Sequence, residues 1–287
     1  METSPRDLLK GYVEVSSLPL IHIRLEEAIN DPKKSMAEIA KIIREDPGLT
    51  ARLLRIVNSA FYNFPSRVET ITQAVTIVGT QQLSALALAT SVMNMFRGIP
   101  KELVSMDSFW RHSIGCGLAA RVLATYRRES NPERFFVAGM LHDIGRLVMY
   151  TKISEQARSA ILAAKDGKVL LYEVERETLG FTHAVVGGLL LQTWRLPASL
   201  EEVVMYHHNP GASTHYPMET AIIHVSDIIA HAMDLGSSGE KYVPPLDPAA
   251  WESLGIEAPL LSSIEDQVDR LYNEAIQVIM GNGRHGR

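Results

Sequence analysis

The sequence predicts an all-α protein, an N-terminal helical subdomain packed on a C-terminal helical domain. Three observations carry that expectation. Apolar residues recur at helical spacing in almost every segment, with no sustained alternation of the strand kind. Helix-start signals punctuate the chain, several with proline in the first turn. And 287 residues that are 46% hydrophobic and 21% charged suit a packed core, which excludes global disorder.

The elements follow in order. A first helix is expected near residues 21–29, stopped by Asn30-Asp31-Pro32. Ser35 then offers an N-cap with Glu38 closing a capping box, and Met36, Ile39, Ile42 and Ile43 share one face. Asp46-Pro47 starts the next helix, whose stripe is Leu49, Leu53, Leu54 and Val57. Thr70 or Ser66 begins another with Ile71, Val75 and Val78, and Gly79 interrupts it before the run 83–93. Arg97-Gly98-Ile99-Pro100 marks a break between two helical halves. Helices are then expected at 108–126, 132–150, 154–164, 171–179, 184–194, 198–206 and 219–233. Residues 234–248 form an exposed loop, and a last helix at 262–280 ends in the tail Gly281-Asn282-Gly283. No repeat of solenoid period is present.

Composition narrows the function. A net charge of −5 and a pI near 6.1 give no overall pull toward nucleic acid or an anionic membrane, so neither is an expected partner. Cys116 stands alone, which rules out an intramolecular disulfide and a thiolate metal cluster. Residues 1–10 lack the apolar core of a signal peptide, and the low-charge stretch 68–96 is broken by polar residues. A cytoplasmic location is expected.

Ten histidines are present. Five stand in order with two aspartates: His112, the pair His142-Asp143, His183, the pair His207-His208, and Asp227. Each falls in or at the end of an expected helix. Imidazole and carboxylate together suit borderline divalent metals, iron or manganese first, then nickel, cobalt or zinc. A carboxylate has two oxygens and can bridge two cations, and Asp143 is placed to reach between them. His207 and His208 can turn to one cation only if the helix ends there, and Asn209-Pro210 supplies the stop. Asp227 lies in the apolar run 222–229, where an ionised carboxylate needs a partner.

With these residues the chain resembles the HD superfamily of metal-dependent phosphohydrolases, and more narrowly the HDOD signalling family. The resemblance spans about residues 14–233. It includes Leu18-Pro19, Asp46-Pro47-Gly48-Leu49 and Asn58-Ser59-Ala60-Phe61-Tyr62, the run from Ala138 through His142-Asp143-Ile144-Gly145-Arg146 to Leu147, and Tyr206-His207-His208-Asn209-Pro210. It implies an N-terminal HDOD helical subdomain at 14–105, an HD-like metal-binding subdomain at 106–233, and a loop with a C-terminal helix at 234–287. The seven positions also match the dinuclear pattern of HD-GYP phosphodiesterases. That pattern implies one metal on His112, His142, Asp143 and Asp227, and a second on Asp143, His183, His207 and His208. Some relatives place a third-metal glutamate four residues before His112; Ser108 stands there, so two divalent ions are expected. Tyr216-Pro217 is only a partial echo of the relatives' Gly-Tyr-Pro loop. Arg146 replaces their lysine, a planar fork in place of a point charge.

The remaining features have ordinary readings. His224 and His231 lie three before and four after Asp227, with supporting or surface roles expected. His22, His215 and His285 are expected in solvent. Met93, Met95, Met140 and Met149 fill core, as do Trp110 and Trp194, and Cys116 is a small buried side chain.

The resemblance thus implies a cytoplasmic signalling protein with a dinuclear metal centre, working as an interaction or regulatory module. Its N-terminal half would dock a signalling partner. The alternative is a metal-dependent phosphohydrolase acting on a phosphodiester or nucleotide, with Asp143 and Arg146 as catalytic residues. A di-iron oxygenase is disfavoured by the adjacent His207-His208 pair, which leaves fewer open positions.

Overall fold

A computed structural model describes residues 4–10, 18, 20–96 and 98–280. Pro19, Arg97, the start of the family resemblance at residue 14, the 281–283 tail and His285 lie outside the described residues. No strand occurs among those described, so the architecture is all-α. The chain divides into two compact units, Leu18–Met95 with Asp269–Arg287, and Met1–Ser17 with Phe96–Val268.

A short helix α1, Pro5–Leu8, capped by Ser4, opens the larger unit. The smaller unit is built from α2 (Leu20–Asn30), α3 (Met36–Arg44), α4 (Pro47–Val57), α5 (Ile71–Val78) and α6 (Thr80–Val92). Its caps are largely those expected. Ser35 and Glu38 form a reciprocal capping box at α3, and the Asp46 carboxylate accepts the Leu49 N–H at 2.9 Å with Pro47 in the first turn of α4. Thr70, not Ser66, caps α5, paired with Gln73. Gly79 at φ 100° turns the chain through 115° between α5 and α6. Its left-handed φ suits a residue without a Cβ. Leu25, Ile43, Leu49, Leu53, Ile56, Ile71, Leu83 and Leu86 form the core, each contributing about 1.5–3 kcal/mol by leaving water. His22 is not in solvent. It is 3% exposed, with Nδ1 3.5 Å from the Ser84 hydroxyl. The apolar stripe of α2 carries it inward. Met93 and Met95 are only partly buried.

The larger unit continues with α7 (Met106–Tyr126), α8 (Pro132–Leu141), α9 (Ile144–Lys152), α10 (Ser154–Gly167), α11 (Leu171–Leu179), α12 (His183–Thr193), α13 (Ala198–Tyr206), α14 (Pro217–Ala232) and α15 (Pro248–Leu254). α16 (Leu260–Met280) runs across the division between the units. Two expectations are corrected. The helix expected at 132–150 is two helices, parted at Asp143, whose backbone leaves the helical region at φ −96°, ψ 8°. No proline or glycine breaker marks that site. The loop at 234–248 is not exposed throughout, since Leu235, Ser238 and Glu240 are buried. Past it, residues 248–254 form a helix whose signals are in the chain: Asp247 caps it, Pro248 opens it, and Gly255 closes it in the left-handed region.

α7 and α8 cross on two glycines. A Cβ on Gly139 would lie 2.6 Å from the Gly117 Cα, so neither position tolerates a side chain. Trp110, Trp194, Cys116, Met140 and Met149 are all buried here. Among the described residues no single helix is long and apolar enough to cross a membrane. The bent pair Ile71–Val78 and Thr80–Val92 passes only when joined across its turn.

Candidate metal centre

The seven candidate donors come from five places along the larger unit. His112 sits about a third of the way along α7, and His142 and Asp143 at the break between α8 and α9. His183 opens α12, His207 and His208 follow the end of α13, and Asp227 lies inside α14. Asn209 leaves the helical region at φ −142°, ψ 68°, freeing both adjacent imidazoles to face inward.

The seven converge. Asp143 Oδ1 lies 2.9 Å from His183 Nε2 and 3.8 Å from His207 Nε2. Its other oxygen, Oδ2, lies 3.3 Å from His142 Nε2 and 3.8 Å from His112 Nε2. Asp227 Oδ1 is 3.0 Å from His112 Nε2 and 3.4 Å from His142 Nε2, and His208 Nε2 is 3.1 Å from His183 Nε2. Ligands about 2.1 Å from one cation stand about 3.0 Å apart at right angles and about 3.4 Å apart at the tetrahedral angle. The observed separations are those of donors sharing a coordination shell.

The hydrogen bonds set which nitrogen faces the centre. His142 Nδ1 donates to the Gly139 carbonyl at 2.6 Å, and His207 Nδ1 to the Val204 carbonyl at 2.7 Å. His183 Nδ1 donates to Glu175 Oε2 at 2.6 Å. Each turns Nε2 inward, the arrangement of metal-binding histidines. Burial pushes His142 and His183 down, but the neighbouring acidic groups outweigh it and raise both, so a cation would displace their Nε2 protons on binding. Burial, then the neighbouring imidazoles of His142 and His183, hold His207 at about 3, so it is neutral as a ligand must be. Burial pushes the Asp143 carboxyl up, but His142, Arg146 and His183 outweigh it and hold it well below the carboxylate range. His112 Nε2, His142 Nε2, His207 Nε2 and Asp227 Oδ1 are buried without a hydrogen-bond partner. Four such atoms aimed at one place are costly unless something binds there. The donor set fits divalent metal: Asp143, His183, His207 and His208 form one cluster, and His112, His142 and Asp143 another that shares the carboxylate.

Several neighbours position the donors. Glu175, 2% exposed, accepts the His183 backbone N–H at 2.9 Å as well as its ring, and an Arg146 N–H at 3.3 Å. Arg146, 1% exposed, also donates from Nε to Asp143 Oδ1 at 3.2 Å. His224 donates from Nδ1 to the His207 carbonyl and accepts the Asp247 N–H at Nε2, tying down the backbone of the His-His pair. Ser108 accepts the Ser237 N–H through its hydroxyl oxygen. His215 is exposed, as expected, and bonds Glu202. Glu175 was not legible in the sequence, because Glu173, Glu175 and Glu177 follow one another in a polar helix and nothing local says which turns inward. His231 carried a signal in its spacing from Asp227: its Nε2 lies 3.4 Å from Asp227 Oδ1, with the side chain only 8% exposed.

Glu202 fastens the loop beyond the His-His pair. It accepts the Ser213 hydroxyl at 2.6 Å and the backbone N–H groups of His215 and Tyr216 at 2.8 and 3.0 Å. Burial pushes its carboxyl up, but these hydrogen bonds outweigh burial and hold it at about 2 against an ordinary 4.5. A depressed folded pKa adds stability that is complete above the unfolded value and lost as pH falls toward the folded one. Glu202→Gln is therefore expected to lower stability by about 1–2 kcal/mol at neutral pH. The Tm gap between variant and wild type should close as pH drops from 5 toward 2; a gap independent of pH would refute the assignment.

An all-helical domain whose histidines and aspartates gather in this order defines an HD-type metal-ligand fold. The HDOD domain profile matches residues 15–210, and the chain belongs to the HDOD family. An HDOD domain protein of unknown function from Geobacter sulfurreducens superposes with a TM-score of 0.78 at 22% identity, covering 96% of both chains. A candidate phosphohydrolase from Shewanella amazonensis SB2B superposes with a TM-score of 0.72 at 24% identity, covering 96% of this chain and 97% of the other. An uncharacterized protein of Treponema pallidum (strain Nichols) is 22% identical over 233 residues, which is 80% of this chain and 45% of that one. The chain thus spans less than half the length of that relative. At these identities the solved structures share the fold.

Proposed function

We propose that this HDOD protein binds two divalent cations at the His/Asp centre and works as a metal-stabilised regulatory module. His112, His142, Asp143 and Asp227 would hold one cation, and Asp143, His183, His207 and His208 the other. The observation that carries the proposal is the set of buried donor atoms around Asp143 that make no hydrogen bond yet lie within ligand distance of one another. Two further features favour a regulatory over a catalytic role. His112, His142, His183 and His207 are each 0% exposed. Arg146 is engaged by Asp143 and Glu175, so it serves to orient the shared carboxylate.

A second reading, hydrolysis of a phosphodiester or nucleotide, is favoured by one edge of the site. His208 is only partly buried and stacks on Tyr172 at 4.3 Å, an aromatic pair against which a base could lie. Bound divalent metal would supply Lewis acidity for that chemistry.

The test is elemental analysis of the full chain after anaerobic incubation with manganese(II) or iron(II), followed by thermal unfolding. Two equivalents per chain are expected, with a gain of about 3 kcal/mol per site at a hundredfold excess over Kd. Less than one equivalent sinks the proposal. If the loaded protein cleaves members of a panel of cyclic and linear nucleotides, the hydrolase reading replaces the regulatory one.

A further inference from the structure

The two halves of the centre differ in the number of protein donors around them. His231, on α14 one turn beyond Asp227, places Nε2 3.4 Å from Asp227 Oδ1. Its ring centroid is 4.4 Å from that of His112. Donor atoms of His112, Asp227 and His231 all lie within 4.8 Å of one another. That range accommodates both adjacent and opposite ligands of a single ion with bonds of about 2.1 Å.

We infer that His231 is an eighth donor and completes a five-donor set, His112, His142, Asp143, Asp227 and His231, around one cation. This rests on the dinuclear reading above. His112 Nε2 faces Asp227 and has one lone pair, so it serves one cation only. His231 shares its cluster with His112 and therefore joins that same ion; it does not found a third position. The i, i+4 spacing of Asp227 and His231 puts both on one face of α14, the device by which a single helix supplies two ligands.

The other half has four donors, Asp143, His183, His207 and His208. The five-donor half leaves little room for exogenous ligands and suits an ion of high coordination number, whereas a four-coordinate tetrahedral ion such as zinc is a poor match. The centre is therefore asymmetric, with one cation held for structure and the other left more open to small ligands.

Titration of the full chain with cobalt(II), followed by visible absorption and by elemental analysis, tests this. His231→Ala should weaken one of the two equivalents by about 10–100-fold, as loss of a shell partner does. It should also intensify the cobalt absorption, because the coordination number falls. If His231→Ala fails to fold, His231→Gln carries the same measurement. Two equivalents bound as tightly as in wild type, with an unchanged spectrum, would overturn the role of His231 and leave the dinuclear centre standing. A wild-type protein that takes up no cobalt would overturn both.

Discussion

Asp143→Ala is expected to yield a protein that retains no more than traces of metal at either position and unfolds at a much lower temperature. The metal loss follows from geometry. One carboxylate oxygen faces His183 and His207 and the other faces His142 and His112, so its removal takes a donor from both halves at once. The stability loss has a separate cause. Arg146, a cation 1% exposed, would keep only Glu175 as its ion-paired carboxylate among the described residues. Removing one member of a buried ion pair costs about 3–5 kcal/mol, a large share of the roughly 5–15 kcal/mol that holds a domain together. Asp143→Asn separates the two effects. Its amide oxygen can still accept from Arg146, so it should be as poor in metal but distinctly more stable than the alanine variant. Elemental analysis and thermal unfolding of both variants decide the matter. An alanine variant that binds two equivalents would remove Asp143 from the bridge.

Gly145→Ala should be nearly as damaging, although it adds one carbon far from any donor's tip. Its Cβ would stand 2.0 Å from the His183 carbonyl oxygen and 2.5 Å from the Gly187 nitrogen. Both are backbone atoms that no rotamer change can move, so α9 and α12 must separate. Overpacking usually costs about 1–3 kcal/mol, and clashes with fixed backbone fall at the upper end or beyond. The displaced residue is His183, whose Nε2 faces Asp143, so metal affinity should fall with stability. Circular dichroism melting and metal content report the two losses. A Gly145→Ala protein with wild-type Tm would show that α9 and α12 can part at no cost. The same clash explains the glycine two residues after Asp143: the run His142-Asp143-Ile144-Gly145 brings a candidate donor pair and a helix crossing together, and the crossing admits no side chain.

Much of this was legible in the residues themselves. Capping signals at Ser35, Asp46 and Thr70 act within one turn, so local chemistry specifies them. The order of histidines and aspartates named the seven groups that the fold gathers. What escaped depends on tertiary contact. The break at Asp143 involves no helix breaker, and it appears only when the pair must point into the centre. Glu175 is one acid among several on its helix until His183 and Arg146 single it out. His22 reads as a polar surface residue until α2 packs its face inward.

The chain has a single cysteine, so no disulfide can tie its distant segments together. Donors carried by helices as far apart in sequence as Met106–Tyr126 and Pro217–Ala232 meet at one point. A cation held there, as proposed, would close a long loop, as a covalent staple would, and so narrow the freedom of the unfolded chain. For this protein a strong chelator should therefore do what a reducing agent does to a secreted one: cut the ties between remote stretches of backbone without touching a covalent bond.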